Sequence, residues 1–128
     1  MANIPEISQA EFLILRSIWK NGRQSVREVH DSLSPETGWA YTTTKTIMDR
    51  MSKKGLLERQ SFHGVFIYKA LVSKSQGLVK WVHFIADGIL ETDYSDVVTM
   101  FSKTGALSQD EIDELRSLLE KEKGAEND

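Results

Sequence analysis

The sequence predicts a mainly α chain with a small β-hairpin wing, divided into a front domain at residues 1–72 and a helical back domain at 73–128. Serine-led capping boxes recur along the chain, each leading into apolar residues at helical spacing. Two short runs rich in β-branched and aromatic residues flank Phe62-His63-Gly64, which is the pattern of a hairpin. The charge also changes sign between the halves. Residues 1–72 carry 10 Lys+Arg against 7 Asp+Glu, net +3, and residues 73–128 carry 6 against 12, net -6, which together give the -3 of the whole chain. A basic front and an acidic back are expected where only the front meets an anionic partner.

The first helix opens at Ile7-Ser8-Gln9-Ala10-Glu11-Phe12, a capping box with a hydrophobic staple from Ile7 to Phe12. Its stripe runs through Phe12, Leu15, Ile18 and Trp19 and stops near Asn21-Gly22. Ser25-Val26-Arg27-Glu28 caps a second, shorter helix with Val26, Val29 and Leu33 inward. His30 has no second histidine or carboxylate cluster at ligand spacing, so it reads as a structural histidine. Pro35 and Gly38 turn the chain, and Trp39 is expected beneath the next helix.

That third helix spans Gly38 to Gly55 and closes on Lys53-Lys54-Gly55, cations at the negative end of the dipole and a glycine for the left-handed stop. At about 100° per residue, Thr44, Ile47, Met48 and Met51 fall on one side. Thr42, Thr46, Asp49 and Lys53 fall opposite, flanked by Thr43, Lys45 and Arg50. Hydroxyl, amine and guanidinium groups of this kind suit phosphate oxygens and base edges. A solvated face, with Lys45, Asp49 and Lys53 paired at i,i+4, would produce the same pattern. The hairpin after Gly55 tips the balance toward nucleic acid: three helices and then a hairpin is the order of a winged helix-turn-helix, whose third helix enters the major groove. In the hairpin, Ile67 alternates with Phe66 and Tyr68, so one face should be buried, and Arg59 and His63 are the candidates to approach phosphates, His63 reading equally as an ordinary loop histidine.

Beyond residue 73 the stripe Leu78, Val82, Ile85 and Ile89 has spacings of four, three and four, a seam pattern widened by Val79, Trp81 and Phe84. After Glu91-Thr92-Asp93, Val97, Val98 and Phe101 mark a short helix. Leu107-Ser108-Gln109-Asp110-Glu111-Ile112 opens a last helix with Ile112, Leu115, Leu118 and Leu119 inward, and the tail from Lys123 is polar and expected to fray. So short a domain cannot bury that much apolar surface alone. Pairing with a second copy through Leu78, Val82, Ile85, Ile89, Phe101, Leu115 and Leu118 is the expected solution, with the seam folding back on the front domain as the alternative, and a homodimer would place two recognition helices on an inverted repeat.

Composition narrows the rest. The chain is 40% apolar and 27% charged, the balance of a soluble globular protein. No uncharged apolar run approaches the about 18 residues of a membrane span, and the N-terminus does not read as a signal peptide, so no membrane association and a cytoplasmic location are expected. Without cysteine there is no disulfide and no thiolate metal site. Neither a phosphate-binding loop nor a histidine–carboxylate cluster is present, so no cofactor, no metal and no enzymatic activity are expected. The remaining rival is a winged helix used for protein contacts without specific DNA binding.

Taken together, Ile-Ser-Gln-Ala-Glu-Phe, Trp19, Val26-Arg27-Glu28-Val29, Thr37-Gly38-Trp39 with Thr43, Lys45, Thr46 and Arg50, Lys53-Lys54-Gly55-Leu56-Leu57, Tyr68 to Val72 and Leu107-Ser108 resemble the penicillinase and methicillin-resistance repressors and their copper-responsive relatives. The resemblance covers nearly the whole chain. It implies a winged helix-turn-helix domain plus a C-terminal helical dimerisation domain, acting as a transcriptional repressor on a palindromic operator in double-stranded DNA. Ala40-Tyr41 stands where the family often has Ser-Pro, which deprives the third helix of a good cap, and Phe62-His63-Gly64-Val65 lacks the glycine-arginine of many family wings. The family's copper branch carries a cysteine cluster that is absent from this chain, which excludes thiolate-based copper sensing. In the beta-lactam-responsive branch a regulatory protease cuts before a phenylalanine that is preceded by an asparagine. The matching bond is Met100-Phe101, with the phenylalanine kept and the asparagine not, so proteolytic induction would cut between Val98 and Ser102. An unknown inducer, or control by the repressor's own concentration, is the alternative.

Overall fold

The computed structural model describes the backbone of residues 4–126 and the side chains of 4–122. Its elements are α1 (Gln9–Asn21), α2 (Val26–Thr37), α3 (Tyr41–Lys54), β1 (Leu57–Phe62), β2 (Val65–Ala70), α4 (Lys74–His83), a π-helical segment (Phe84–Leu90), α5 (Tyr94–Thr104) and α6 (Gln109–Glu126). The chain divides into two compact units between Ser73 and Lys74.

In the first unit, α1 and α2 both begin with complete capping boxes: Ser8 with Glu11, and Ser25 with Glu28. Ile14, Leu15, Ile18, Val29, Leu33, Met48, Met51, Leu56, Leu57 and Tyr68 form the core, with Trp19 and Trp39 packed at its margin. The Trp19 indole N–H donates to the Val72 carbonyl at 2.9 Å, tying the exit of the hairpin back to α1. β1 and β2 pair antiparallel from Leu57 opposite Ala70 to Phe62 opposite Val65. Tyr68 also exchanges both backbone hydrogen bonds with Gln24, at 2.8 and 3.1 Å, so the loop between α1 and α2 adds a one-residue third strand to the sheet. The Gln24 side chain is buried and accepts from the Ser17 hydroxyl at 2.8 Å. The expectation of one buried hairpin face holds only at the root: Tyr68 is buried and Phe66 is exposed.

The second unit has its own core of Val79, Val82, Ala86, Val97, Val98, Ile112, Leu115 and Leu119. The Ser108–Glu111 capping box starts α6, and the Ser75 hydroxyl donates to the Glu111 carbonyl at 2.7 Å. Two expectations need correction here. The seam from Leu78 to Ile89 assumed one uninterrupted α-helix, but α4 gives way to the π-helical segment at Phe84, whose wider turn changes which residues share a face. Within that segment Ala86 is fully buried, while Ile89 is 58% exposed. Val82 and Leu115 are also enclosed by helices of their own chain, so they cannot be surface contacts for a second copy. Leu78, Ile85, Phe101 and Leu118 are half-buried at the edge of the same core. Helix α6 continues to Glu126, past the last apolar position of its stripe, and residues 127–128 of the polar tail lie outside the described residues.

Candidate nucleic-acid interface

Helix α3 is held from below and from its far end. Thr44, Met48 and Met51 are buried and Ile47 is half-buried, as the spacing predicts. The Thr44 hydroxyl lies 3.4 Å from Nδ1 of His30, whose ring meets Tyr41 edge-on, so His30 packs α2 against α3. At the C-terminal end the Lys54 ammonium donates to both Glu11 oxygens and to the Glu6 carbonyl, each at 2.9 Å. Burial pushes the Glu11 carboxyl up, but the Ser8 amide and the Lys54 ammonium outweigh it and hold it below the usual carboxylate range. Lys54 therefore fastens the helix rather than facing outward.

The opposite side of α3 is open. Thr42, Thr43, Lys45, Thr46, Arg50 and Lys53 are exposed, and Thr42, Thr43, Thr46, Ile47 and Arg50 line a shallow hollow. Among the described residues Lys45, Arg50 and Lys53 make no ion pair, so the i,i+4 pairing that would explain a merely solvated face is not formed. Asp49 differs from its neighbours. It is half-buried, and its carboxylate accepts from the Tyr68 hydroxyl at 3.3 Å, which joins α3 to the hairpin. Burial first, and the Asp49 charge beside it, push the Tyr68 hydroxyl above its ordinary range, with Arg59 pulling the other way.

Ala40 gives α3 no side-chain cap, as its sequence implies. One cation near the helix was invisible in the spacing: Arg27, from α2, lies over the Tyr41 ring at 4.5 Å and brings a positive charge to the start of α3. Arg59, the cation expected on the wing, is exposed on β1 and lies over the Phe66 ring at 4.3 Å. His63 stands at the hairpin turn with φ 50°, its ring edge-on to Phe62. The arrangement is a helix with a hydroxyl-and-cation face, a cation at its entry, and a hairpin anchored beside it. Such a surface can hold a phosphate backbone while presenting small polar side chains to base edges.

Met100 and Phe101, the bond the sequence offers as a possible cleavage site, lie inside α5, Met100 56% exposed and Phe101 half-buried against the second core.

Comparison with known proteins points the same way. The chain is 30% identical over 116 residues to the methicillin resistance regulatory protein MecI of Staphylococcus aureus (strain N315), covering 91% of this chain and 94% of that one. It is 31% identical over 123 residues to the penicillinase repressor of Bacillus licheniformis, covering 96% of each. Among solved structures, the monomeric form of BlaI from Bacillus licheniformis in complex with the blaP half-operator matches with a TM-score of 0.53 and 34% identity, over 59% of this chain and 93% of that one. The DNA-binding domain of BlaI in solution matches with a TM-score of 0.52, again at 34% identity and over the same shares. With the penicillinase repressor family model matching residues 7–121 and full-length relatives aligned across nearly all of the sequence, the chain belongs to the penicillinase repressor family.

Proposed function

We propose that this chain is a transcriptional repressor that binds an operator of two-fold symmetry in double-stranded DNA as a homodimer, with α3 in the major groove. The observation that carries this reading is the outward face of α3, where Lys45, Arg50 and Lys53 stand free of ion pairs among the described residues, beside Thr42, Thr43 and Thr46. Lys45, Arg50 and Lys53 hold phosphates, and Thr43 and Thr46 meet base edges or thymine methyls. Asp49 is assigned to the joint with Tyr68 instead of to a base. Dimerisation uses the second unit, whose apolar side chains Phe84, Ile89, Leu90 and Met100 are 54%, 58%, 50% and 56% exposed. Among the described residues no helix is long and apolar enough to cross a membrane. A repressor works where its operator lies, which for this chain means the cytoplasm. A regulatory protease acting on Met100-Phe101 would meet a helical backbone, so cutting requires the C-terminal turns of α5 to unwind first.

Fluorescence anisotropy with the full-length protein and fragments of its own promoter region tests the proposal. Operator binding at least about 1,000-fold tighter than binding to random DNA of equal length, falling steeply with salt, is the expected result. Equal affinity for both fragments overturns it in favour of a protein-contact module.

A further inference from the structure

At the hairpin tip Phe62, Val65 and Phe66 are 58%, 52% and 50% exposed, whereas Leu57 and Tyr68 at its root are 1% and 2% exposed. Alternation along the paired strands puts Phe66 on the face that carries Arg59 and Tyr68, and puts Phe62 and Val65 on the other face. The tip is therefore apolar on both sides. It is also tightly turned: His63 and Gly64 both have left-handed φ, 50° and 79°, the geometry of a two-residue turn that matches strand twist. No lysine or arginine lies between Phe62 and Phe66. The cation beside them, Arg59, is held over the Phe66 ring, and the Tyr68–Asp49 hydrogen bond sets that face of the hairpin on the α3 side.

A blade that is apolar on both faces suits a slot with two walls better than a flat surface. With α3 in the major groove, the slot next to it is the adjoining minor groove, which is narrow, walled by deoxyribose and electronegative enough to draw in an arginine. We infer that this wing binds DNA by apolar contact: Phe62 and Phe66 wedge against the sugar edges or a partly unstacked base step of the minor groove, with Arg59 alongside. This rests on the reading of α3 as the groove-binding helix. Two consequences separate it from a phosphate-contacting wing. Apolar contact releases no counterions, so it adds affinity without adding salt dependence. It also favours flexible pyrimidine–purine steps, which unstack most easily, outside the bases that α3 touches.

The test is anisotropy of the full-length protein on its promoter fragment across a salt series. Phe62→Ala, which leaves the Arg59–Phe66 stack intact, should lose roughly tenfold in operator affinity with the slope of log affinity against log salt unchanged. Phe62→Ala/Phe66→Ala should lose more. Arg59→Ala should instead lower the slope by about one unit. Phe62→Arg should raise the slope by about one unit while the operator-to-random ratio stays depressed. Thermal melts followed by circular dichroism check that these exposed positions leave the fold intact. A Phe62→Ala/Phe66→Ala variant that binds as tightly as the parent overturns the inference, as does a Phe62→Ala loss accompanied by a fall in slope. Full DNA binding with repression lost in cells also overturns it and makes the tip a protein-docking site. A parent that cannot distinguish operator from random DNA refutes the reading of α3 instead, so the two failures are told apart.

Discussion

Replacing Lys54 by methionine probes what holds α3 in place. The ammonium touches both Glu11 oxygens and the Glu6 carbonyl, and the Lys54 and Glu11 side chains are 33% and 7% exposed. Methionine keeps the packing of the stem but leaves the Glu11 carboxylate buried with only the Ser8 amide. Removing one partner of a fully buried pair costs about 3–5 kcal/mol, and the partial exposure of Lys54 reduces this to about 1–3 kcal/mol. Urea unfolding at pH 7, followed on amide signals of the first unit, should show a lower midpoint with an unchanged slope. The pH dependence sharpens the test. Because the Glu11 carboxyl is held below its ordinary range in the folded chain, its stabilisation is present above the unfolded value and is lost as pH falls through the folded value. The deficit of Lys54→Met should therefore shrink on acidification through the carboxylate range. A variant as stable as the parent at pH 7, or a deficit that stays constant into acid, refutes the reasoning.

The second unit gives a paired prediction. Ile89→Asp should yield folded monomers by light scattering at micromolar concentration, whereas Val82→Asp buries an unpaired charge in the subunit's own core and should unfold that unit, at about 4 kcal/mol or more. A wild-type monomer at that concentration refutes dimerisation. On α3, Lys45→Ala should weaken operator and random DNA alike and reduce the salt slope by about one unit. Thr46→Ala should narrow the operator-to-random gap by about 1–3 kcal/mol, and unchanged specificity after joint replacement of Thr43 and Thr46 sinks that assignment. Tyr68→Phe removes the hydroxyl from Asp49 and should cost about 0.5–1.5 kcal/mol in the same urea assay, and no measurable change would show that the 3.3 Å contact contributes nothing.

What the sequence disclosed depended on whether the determinant was local. The Ser8–Glu11 and Ser25–Glu28 boxes and the inward stripe of α3 are patterns within one helix, and the structure has them. The bridge from Gln24 to Tyr68, the tie from Lys54 to Glu11 and the stacking of Arg27 on Tyr41 join segments far apart in the chain or on separate helices. No spacing rule reaches them. The seam loses its common face for a different reason: a fixed period assigns faces correctly only while the helix keeps its pitch, and the π-helical segment from Phe84 changes it. On α3, the exposed positions were legible one by one, but the diversion of Asp49 to the hairpin was not, because its partner lies nineteen residues away.

Tyr68 receives the Gln24 backbone on one edge, pairs with Arg59 on the other, and reaches Asp49 with its side chain. Mechanically this makes the hairpin a cantilever clamped at Tyr68, with a free arm of roughly 10 Å out to Val65 at strand rise per residue. A short arm clamped at its base swings little, so a partner of the tip finds it already aimed and little ordering entropy is lost there on binding. The clamp also makes the arm's aim sensitive to distant positions. Ser17 on α1 and Gln24 in the loop that follows it, both buried and hydrogen-bonded to each other, set the edge against which Tyr68 rests, so a small displacement there is carried outward along the lever to the hairpin tip.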